Sequence, residues 1–343
     1  MSVPDPLPAR KPRRLGLYIP FALALIGAAA WSGAWFWARI QLKDALAAEA
    51  SRLRTAGYDV AWADQMVGGY PFRLDVTLTD ARIRDVSGWA LATPRLEAEA
   101  NMLSPGRWMI AAPQGLTFTR PRGGPVMVKG ELIRASLRSL DKTPPGFSFE
   151  GVKLTFTPDP GAQPFALAAA ERVEFHLRPG PDDEGGAFLR VDKGAASPAG
   201  LLGRIAGDKP VAMTWNSTMT RASRFSGETW PQAVRAWSDA GGQINVREAG
   251  VSAGDAILGA QPAKLAVAPD GYLSGGLDLT LRQAPRALAA LGQSGAVPPE
   301  AAAAAAVVAA ARQEGDVVRA RLTFQAGRTT FGPVAIGPAP RVY

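Results

Sequence analysis

The residues most suggestive of covalent chemistry form the segment GVSAG at positions 250–254, which matches the G-x-S-x-G signature of a nucleophile elbow. An elbow needs a strand before the serine and a helix after it, with an acid and a histidine later in the chain. The single histidine, His176, precedes Ser252, and residues 255–259 lack the pattern of a helix. The segment therefore favours a turn of small residues, and we expect no catalytic residue.

The sequence also has few residues that could bind a metal or a cofactor. The chain has no cysteine, which excludes disulfides, thiolate catalysis and cysteine-ligated metals. Asp182, Asp183 and Glu184 are consecutive and lack the alternating ligand spacing of a calcium loop, so they indicate an exposed hairpin tip. Neither glycine-rich phosphate-binding signature occurs in the sequence. We therefore expect no metal site and no cofactor.

The N-terminal segment has the composition of a membrane span. Residues 15–37 carry no charge, and 23 helical residues exceed the roughly 20 that cross a hydrocarbon core of about 30 Å. Four basic residues lie within positions 10–14 and three tryptophans within 31–37, which predicts a cytoplasmic N-terminus. A signal peptide cleaved after the alanines at 28–30 and a buried core helix are the two alternatives. We favour an uncleaved signal anchor.

The net charge of +8 does not indicate nucleic-acid binding. Residues 1–14 contribute four basic groups and one acid, or +3, and the remaining +5 is spread over more than 300 residues. Proteins that bind DNA or RNA show a basic stripe or a recognisable module, and the sequence has neither. Membrane topology explains the basic N-terminus, so we expect no nucleic-acid partner.

Most of the chain after the span alternates apolar and polar residues. The clearest run begins at Phe72 and continues through Leu74, Val76 and Leu78, and about 15 such runs are separated by turns rich in proline and glycine. Helical patterns occur at residues 38–55, where Gly57 is the predicted stop, and at 230–240, 285–291 and 298–312. These patterns predict a mainly β fold, with an N-terminal transmembrane helix, a large curled antiparallel sheet and a few peripheral helices.

The predicted organisation has four parts. Residues 1–14 form a cytoplasmic tail, 15–37 the anchor, 38–57 a membrane-proximal helix and 58–343 a β-rich periplasmic domain, with a subdivision near 208–231 as an open alternative. The few helices predict that one apolar face of the sheet stays partly open as a groove, whereas the alternative is a filled sandwich core. The groove would be lined by Leu74, Val76, Leu78, Phe118, Leu154, Phe156 and Phe175.

Several short segments resemble a known family. They are GYDV at 57–60, GGYPFRL at 68–74, PDGYL at 269–273 and FGPVAIGP at 331–338, together with the apolar span. In this layout the chain resembles the bacterial domain-of-unknown-function family 2125 and, more distantly, AsmA-type envelope proteins. The resemblance implies an inner-membrane anchor, a β-rich domain and an association with lipid handling, and it transfers no catalytic residue.

The leading hypothesis is therefore a non-enzymatic function. We expect a protein of the inner membrane, with the bulk of the chain periplasmic, that binds or handles a lipid or another apolar envelope component. An envelope scaffold with a solid β core and a protein partner is the runner-up, and an esterase is a distant third. The partners predicted are the inner membrane, a lipid and other envelope proteins.

Overall fold

A computed structural model describes residues 15–142, 144–295 and 297–343 of the chain. The predicted cytoplasmic tail and the four basic residues before the span lie outside the described residues. The first helix, α1, runs without interruption from Leu15–Thr55, so the predicted anchor and membrane-proximal helix are one element. Gly57, with φ of +92°, ends it through bonds from Gly57 N to Arg54 O and from Tyr58 N to Leu53 O, both 3.0 Å.

Among the described residues, α1 is the one helix long and apolar enough to cross a membrane. Its most apolar window has a mean hydropathy of 1.6, and only 6% of that window is buried against the rest of the chain. An apolar helix that a protein leaves uncovered needs another apolar environment, which is the property of a membrane anchor.

Twenty strands follow in the described part of the chain, and every pair is antiparallel. They are β1 Asp59–Ala61, β2 Asp64–Gly68, β3 Arg73–Arg84, β4 Ala90–Asn101, β5 Ser104–Ala111, β6 Leu116–Arg120, β7 Gly124–Lys129, β8 Leu132–Arg138, β9 Gly146–Pro158, β10 Leu167–Pro179, β11 Gly185–Ala196, β12 Val211–Met219, β13 Ile244–Ala253, β14 Ala256–Ala260, β15 Ala263–Val267, β16 Leu273–Arg282, β17 Gln313–Glu314, β18 Val317–Gln325, β19 Arg328–Phe331 and β20 Val334–Pro338. The prediction of a mainly β fold around a large antiparallel sheet is confirmed.

The sheet is one meander in which each strand pairs with its neighbours in sequence. Strands β1 and β2, β5 and β6, β7 and β8, and β14 and β15 lie end to end, and β17 and β19 share one side of β18. The 20 strands therefore occupy 15 positions in the ladder, which agrees with the roughly 15 alternating runs in the sequence. The ladder from β11 through β12 to β13 continues across residues 208–231.

Four further helices cover only part of this sheet. They are α2 Leu201–Ala206, α3 Trp230–Asp239, α4 Ala284–Gln293 and α5 Pro299–Ala311. Helix α2 packs on β11 and β13, α3 on β15, α4 on β14, and α5 on β18 and β20. The main hydrophobic core lies beneath α4 and α5 and includes Leu279, Leu288 and Ala305. The helices predicted at 230–240, 285–291 and 298–312 are confirmed to within two residues at each end.

The two faces of the sheet differ in chemistry because residues opposite each other in a ladder share a face. On the polar face, Glu150 of β9 binds Arg134 at 2.5 Å and Arg172 at 2.7 Å, and Arg172 also binds Glu174 at 2.8 Å. On the other face, which we call the apolar face, Phe149 pairs with Phe175 and the row continues through further apolar residues of β11 and β12.

A line of irregularities crosses the first half of the sheet. Asp80 in β3, Lys153 in β9 and Lys193 in β11 have φ of +49°, +50° and +45°, and the gaps at 62–63, 112–115 and 130–131 interrupt the strands between them. Bulges of this kind bend a strand and increase its twist. Next to Lys153, Leu154 is 2% exposed and packs in a cluster with Val128 and Ile133 of the neighbouring strands.

The turns lie at two opposite ends of the strands. We call the end that carries turns 69–72, 102–103, 139–142 and 180–184 the proximal rim, because Trp31 and Ser32 in the apolar part of α1 bind its first turn. The end that carries turns 85–89, 121–123 and 159–166 is the distal rim. Pairing of Arg73 with Asn101, and a bond of 2.9 Å from Met102 N to Phe72 O, place the first two proximal turns side by side.

Candidate functional site

An aromatic patch lies on the apolar face at its proximal end. It consists of Trp108, Leu137, Phe147, Phe149, Phe175 and Leu177. Phe147 pairs with both Leu137 and Leu177, and its ring centroid lies 6.0 Å from that of Phe175. All six side chains are half-buried. Large apolar side chains of neighbouring strands therefore meet here without being fully covered.

On β7 to β9 the distal part of the same face is filled. Val126, Val128, Ile133 and Leu154 are buried to 6% exposure or less, and a second cluster brings Ile205 of α2 towards the same end. Packing of this density leaves no room for a ligand. On these strands the uncovered part of the face is thus its proximal part, whereas Leu91 of β4, which lies opposite Phe118 at the distal end, is itself 47% exposed.

All seven residues predicted to line a groove lie on the apolar face, but their burial differs. Leu74 and Val76 are each 5% exposed, and Leu154 is 2% exposed, so these three are packed residues. Four others are half-buried: Leu78, Phe118, Phe156 and Phe175. Phe118 stacks on Trp89 at 5.2 Å, and Phe156 lies 4.9 Å from Phe165. Phe175 is the one predicted residue that belongs to the aromatic patch.

Sequence reasoning missed the other five members of the patch. The segment FSF at 147–149 already shows the alternation of a strand with one aromatic face. The alternation V-K-L-T-F at 152–156 predicts that Val152 shares a face with Leu154, and this is wrong because the positive φ of Lys153 breaks the alternation. Val152 pairs with Arg172 and so lies on the polar face, whereas Leu154 is in the buried cluster.

Helix α1 is attached to the proximal rim by its tryptophans. Trp31 Nε1 donates to Pro71 O at 2.8 Å and Trp35 Nε1 donates to Arg73 O at 2.7 Å. Tyr70 Oη lies 2.9 Å from Ser32 Oγ, and its ring meets Trp35 edge-on at 5.4 Å. These contacts join the apolar helix to the turn between β2 and β3.

The tryptophans of α1 differ in how much of each side chain is exposed, and this indicates different roles. Trp35 is 3% exposed, whereas Trp37 is 65% exposed. Gly69 in the same turn has φ of +95°, and a Cβ there would lie 2.7 Å from Arg73 O, so only glycine fits. Trp35 is therefore a docking residue for the sheet, a role that its position in an apolar run does not reveal.

The G-x-S-x-G segment is not an elbow. Residues 250–253 belong to β13, and Ser252 pairs with Ala212 on one side and Ile257 on the other. The strand β14 follows after a two-residue turn, where an elbow would have a helix. Ser252 is thus paired on both sides within the sheet, whereas the serine of a nucleophile elbow lies on a sharp turn after the end of a strand.

His176 lies on the polar face, between Glu174 and Arg178 in the alternation of β10. Its ring stacks on Phe188 at 5.9 Å, and its Nδ1 is buried without a hydrogen-bond partner. It borders a cavity of about 410 Å³ that Arg178 and Arg247 also line. The acidic tip has a structural role, because Asp183 accepts bonds from Ser223 N at 2.7 Å and Ser223 Oγ at 2.9 Å.

Within the part of the chain that the structure describes, no three or more histidine, aspartate or glutamate side chains group as metal ligands. The Lys209 ammonium at 2.5 Å lowers the pKa of Asp255, and this exposed pair joins two turns of the distal rim. Titratable groups with shifted pKa values therefore lie in surface ion pairs, away from the aromatic patch.

Comparison with known proteins gives one match. Residues 35–340 match the family described as "Uncharacterized protein conserved in bacteria (DUF2125)". No curated protein and no solved structure matches the chain.

Proposed function

Because the chain belongs to the DUF2125 family, whose match covers the sheet and the second half of α1, we propose that it is a membrane-anchored protein that binds a lipid or another apolar envelope component. The binding surface is the aromatic patch on the apolar face. The anchor crosses the inner membrane with its N-terminus in the cytoplasm, so the sheet is periplasmic. The four basic residues before the apolar span support this orientation.

One observation carries the proposal: the aromatic patch is open at the end of the sheet that holds the membrane helix. Helices α2, α4 and α5 pack on β11 to β20, whereas the patch lies on β5 to β10. Each methylene that moves from water onto such a surface gains about 0.8 kcal/mol, so an acyl chain gains several kcal/mol. A ligand leaving the bilayer would meet this surface first.

Neighbouring residues on opposite faces of β10 provide a matched test. The photo-reactive residue p-benzoylphenylalanine replaces Phe175 on the apolar face or, as the control, His176 on the polar face. Both side chains are half-buried, so access to solvent does not distinguish them. After irradiation in native membranes, mass spectrometry of the full-length protein should show a lipid adduct at position 175 and none at 176.

A second pair of variants tests binding directly. An unpaired charge is costly on an apolar surface, so Phe175→Asp should lose the lipid that co-purifies with the wild type. His176→Asp faces Arg178 and Arg247 in the polar cavity and should keep it. Absence of lipid from the wild type together with absence of adducts would overturn the proposal. A protein adduct at position 175 would instead support the scaffold hypothesis.

A further inference from the structure

The turns of the proximal rim that lie nearest to the anchor expose large apolar side chains at their tips. Tyr70 and Phe72 in the first turn are 55% and 64% exposed, Leu103 in the second is 76% exposed, and Leu140 in the third is 54% exposed. Exposure of such apolar side chains to water does not stabilise the protein. Three successive turns with the same property indicate a contact surface.

The position along the axis of α1 at which the first turn binds suggests what this surface contacts. At a rise of 1.5 Å per residue, about 20 residues span the hydrocarbon core, and counting from Leu15 ends at Ala34. Trp31 and Ser32, which bind the first turn, lie in the last helical turn of that stretch. The ring centroids of Phe72 and Trp31 are 6.3 Å apart. The first turn is therefore at the level where the helix leaves the bilayer.

The ladder register relates the next two tips to the first, because Leu74, Ala100, Trp108 and Leu137 form one row of paired residues just inside the three turns. Proximal turns recur every second strand, so at about 4.8 Å per strand the third tip lies roughly 20 Å from the first. The fourth turn, 180–184, carries Asp182, Asp183 and Glu184. Carboxylates are unfavourable in an apolar boundary, so the surface ends before that turn.

We propose that turns 69–72, 102–103 and 139–142 insert their apolar tips into the interface of the bilayer that α1 crosses. Aromatic and aliphatic side chains next to a membrane span favour this region. The insertion holds the first half of the sheet upright on the membrane and directs the open end of the aromatic patch towards the lipid. This inference requires only that α1 crosses a membrane, and it holds whether or not the aromatic patch binds an apolar ligand.

The absence of cysteine allows a direct test on the full-length protein. Single variants Leu103→Cys and Leu140→Cys are labelled with the fluorophore NBD and reconstituted in phosphatidylcholine vesicles. The control is Val86→Cys, since Val86 is 63% exposed at a turn of the distal rim. All three positions are exposed turn residues, so labelling should leave the fold intact, which circular dichroism checks.

The expected result is a blue-shifted emission at positions 103 and 140, and at least twofold quenching when part of the lipid carries a nitroxide near the top of its acyl chains. Position 86 should show neither change. A label at Asp182→Cys marks the boundary of the surface and should resemble position 86. Quenching at neither position 103 nor 140, or at 103 alone, would overturn the proposal, as would equal quenching at position 86.

Discussion

The difference between a filled core and an open patch can be measured with one pair of identical substitutions. Leu154→Ala removes three carbon atoms from a side chain that is 2% exposed, and at about 0.8 kcal/mol per methylene this loses roughly 2.4 kcal/mol. Gly130 and Gly151 form the walls of its niche, since a Cβ on either would lie 2.6 Å from a Leu154 methyl carbon. Glycine has no side chain that could move into the space, so a cavity term adds to the loss. We expect a total of about 4 kcal/mol.

Leu137→Ala makes the same chemical change in the aromatic patch. Leu137 is partly exposed, so the transfer loss is smaller and no closed cavity forms; we expect about 2 kcal/mol, or roughly half the loss at Leu154. The free energies of unfolding come from urea titration of the full-length protein in detergent, with an unchanged m-value as the check on comparability. Equal losses for the two variants would refute the open patch and favour a filled core.

Three further predictions follow from the same geometry. His176→Ala and Ser252→Ala should each leave co-purifying lipid unchanged, because neither residue belongs to the aromatic patch or to a complete catalytic group; loss of lipid from a folded variant would contradict this. A reporter that is active only in the periplasm should be active when fused after Tyr343, and activity of a cytoplasmic reporter there would reverse the orientation. Trp35→Phe should lower the free energy of unfolding by about 1 kcal/mol through the lost indole hydrogen bond, whereas Trp37→Phe, at an exposed position, should change it little in a urea titration.

The sequence predicts the elements of this fold well because they depend on local periodicity. The run from Leu74 to Leu78 alternates cleanly, and it lies within a 12-residue strand. Helix α3 begins at its predicted residue, Trp230, where Thr229 and Gln232 form a capping box that fixes the start. Helix α2 was not predicted, since its six residues are too few to show a helical period.

The site was harder to predict because it depends on long-range packing. Periodicity assigns a residue to a face, but it does not say which part of that face a helix covers. Leu154 and Phe175 both occupy apolar positions of alternating runs in the sequence. In the structure, Leu154 lies in a niche between glycines and Phe175 lies in the open patch. The left-handed conformation of Lys153 is a similar case, because lysine rarely adopts it and nothing in the local sequence marks it.

The order of the strands also bears on how the chain folds. Apart from the bridge between Tyr272 and Arg341, the 15 ladder positions follow one another in sequence order, so the contact order of the sheet is low for a β protein of this length. In a chain delivered from its N-terminus, β3 has paired with β1 and β2 and formed the open edge before β4 emerges. Each new strand then adds to a finished template, and the growing edge waits for about one strand at most connections and for the helices α3, or α4 and α5, at the connections to β13 and β18. Vectorial addition of this kind limits the time during which an open edge of an apolar sheet could pair with another molecule.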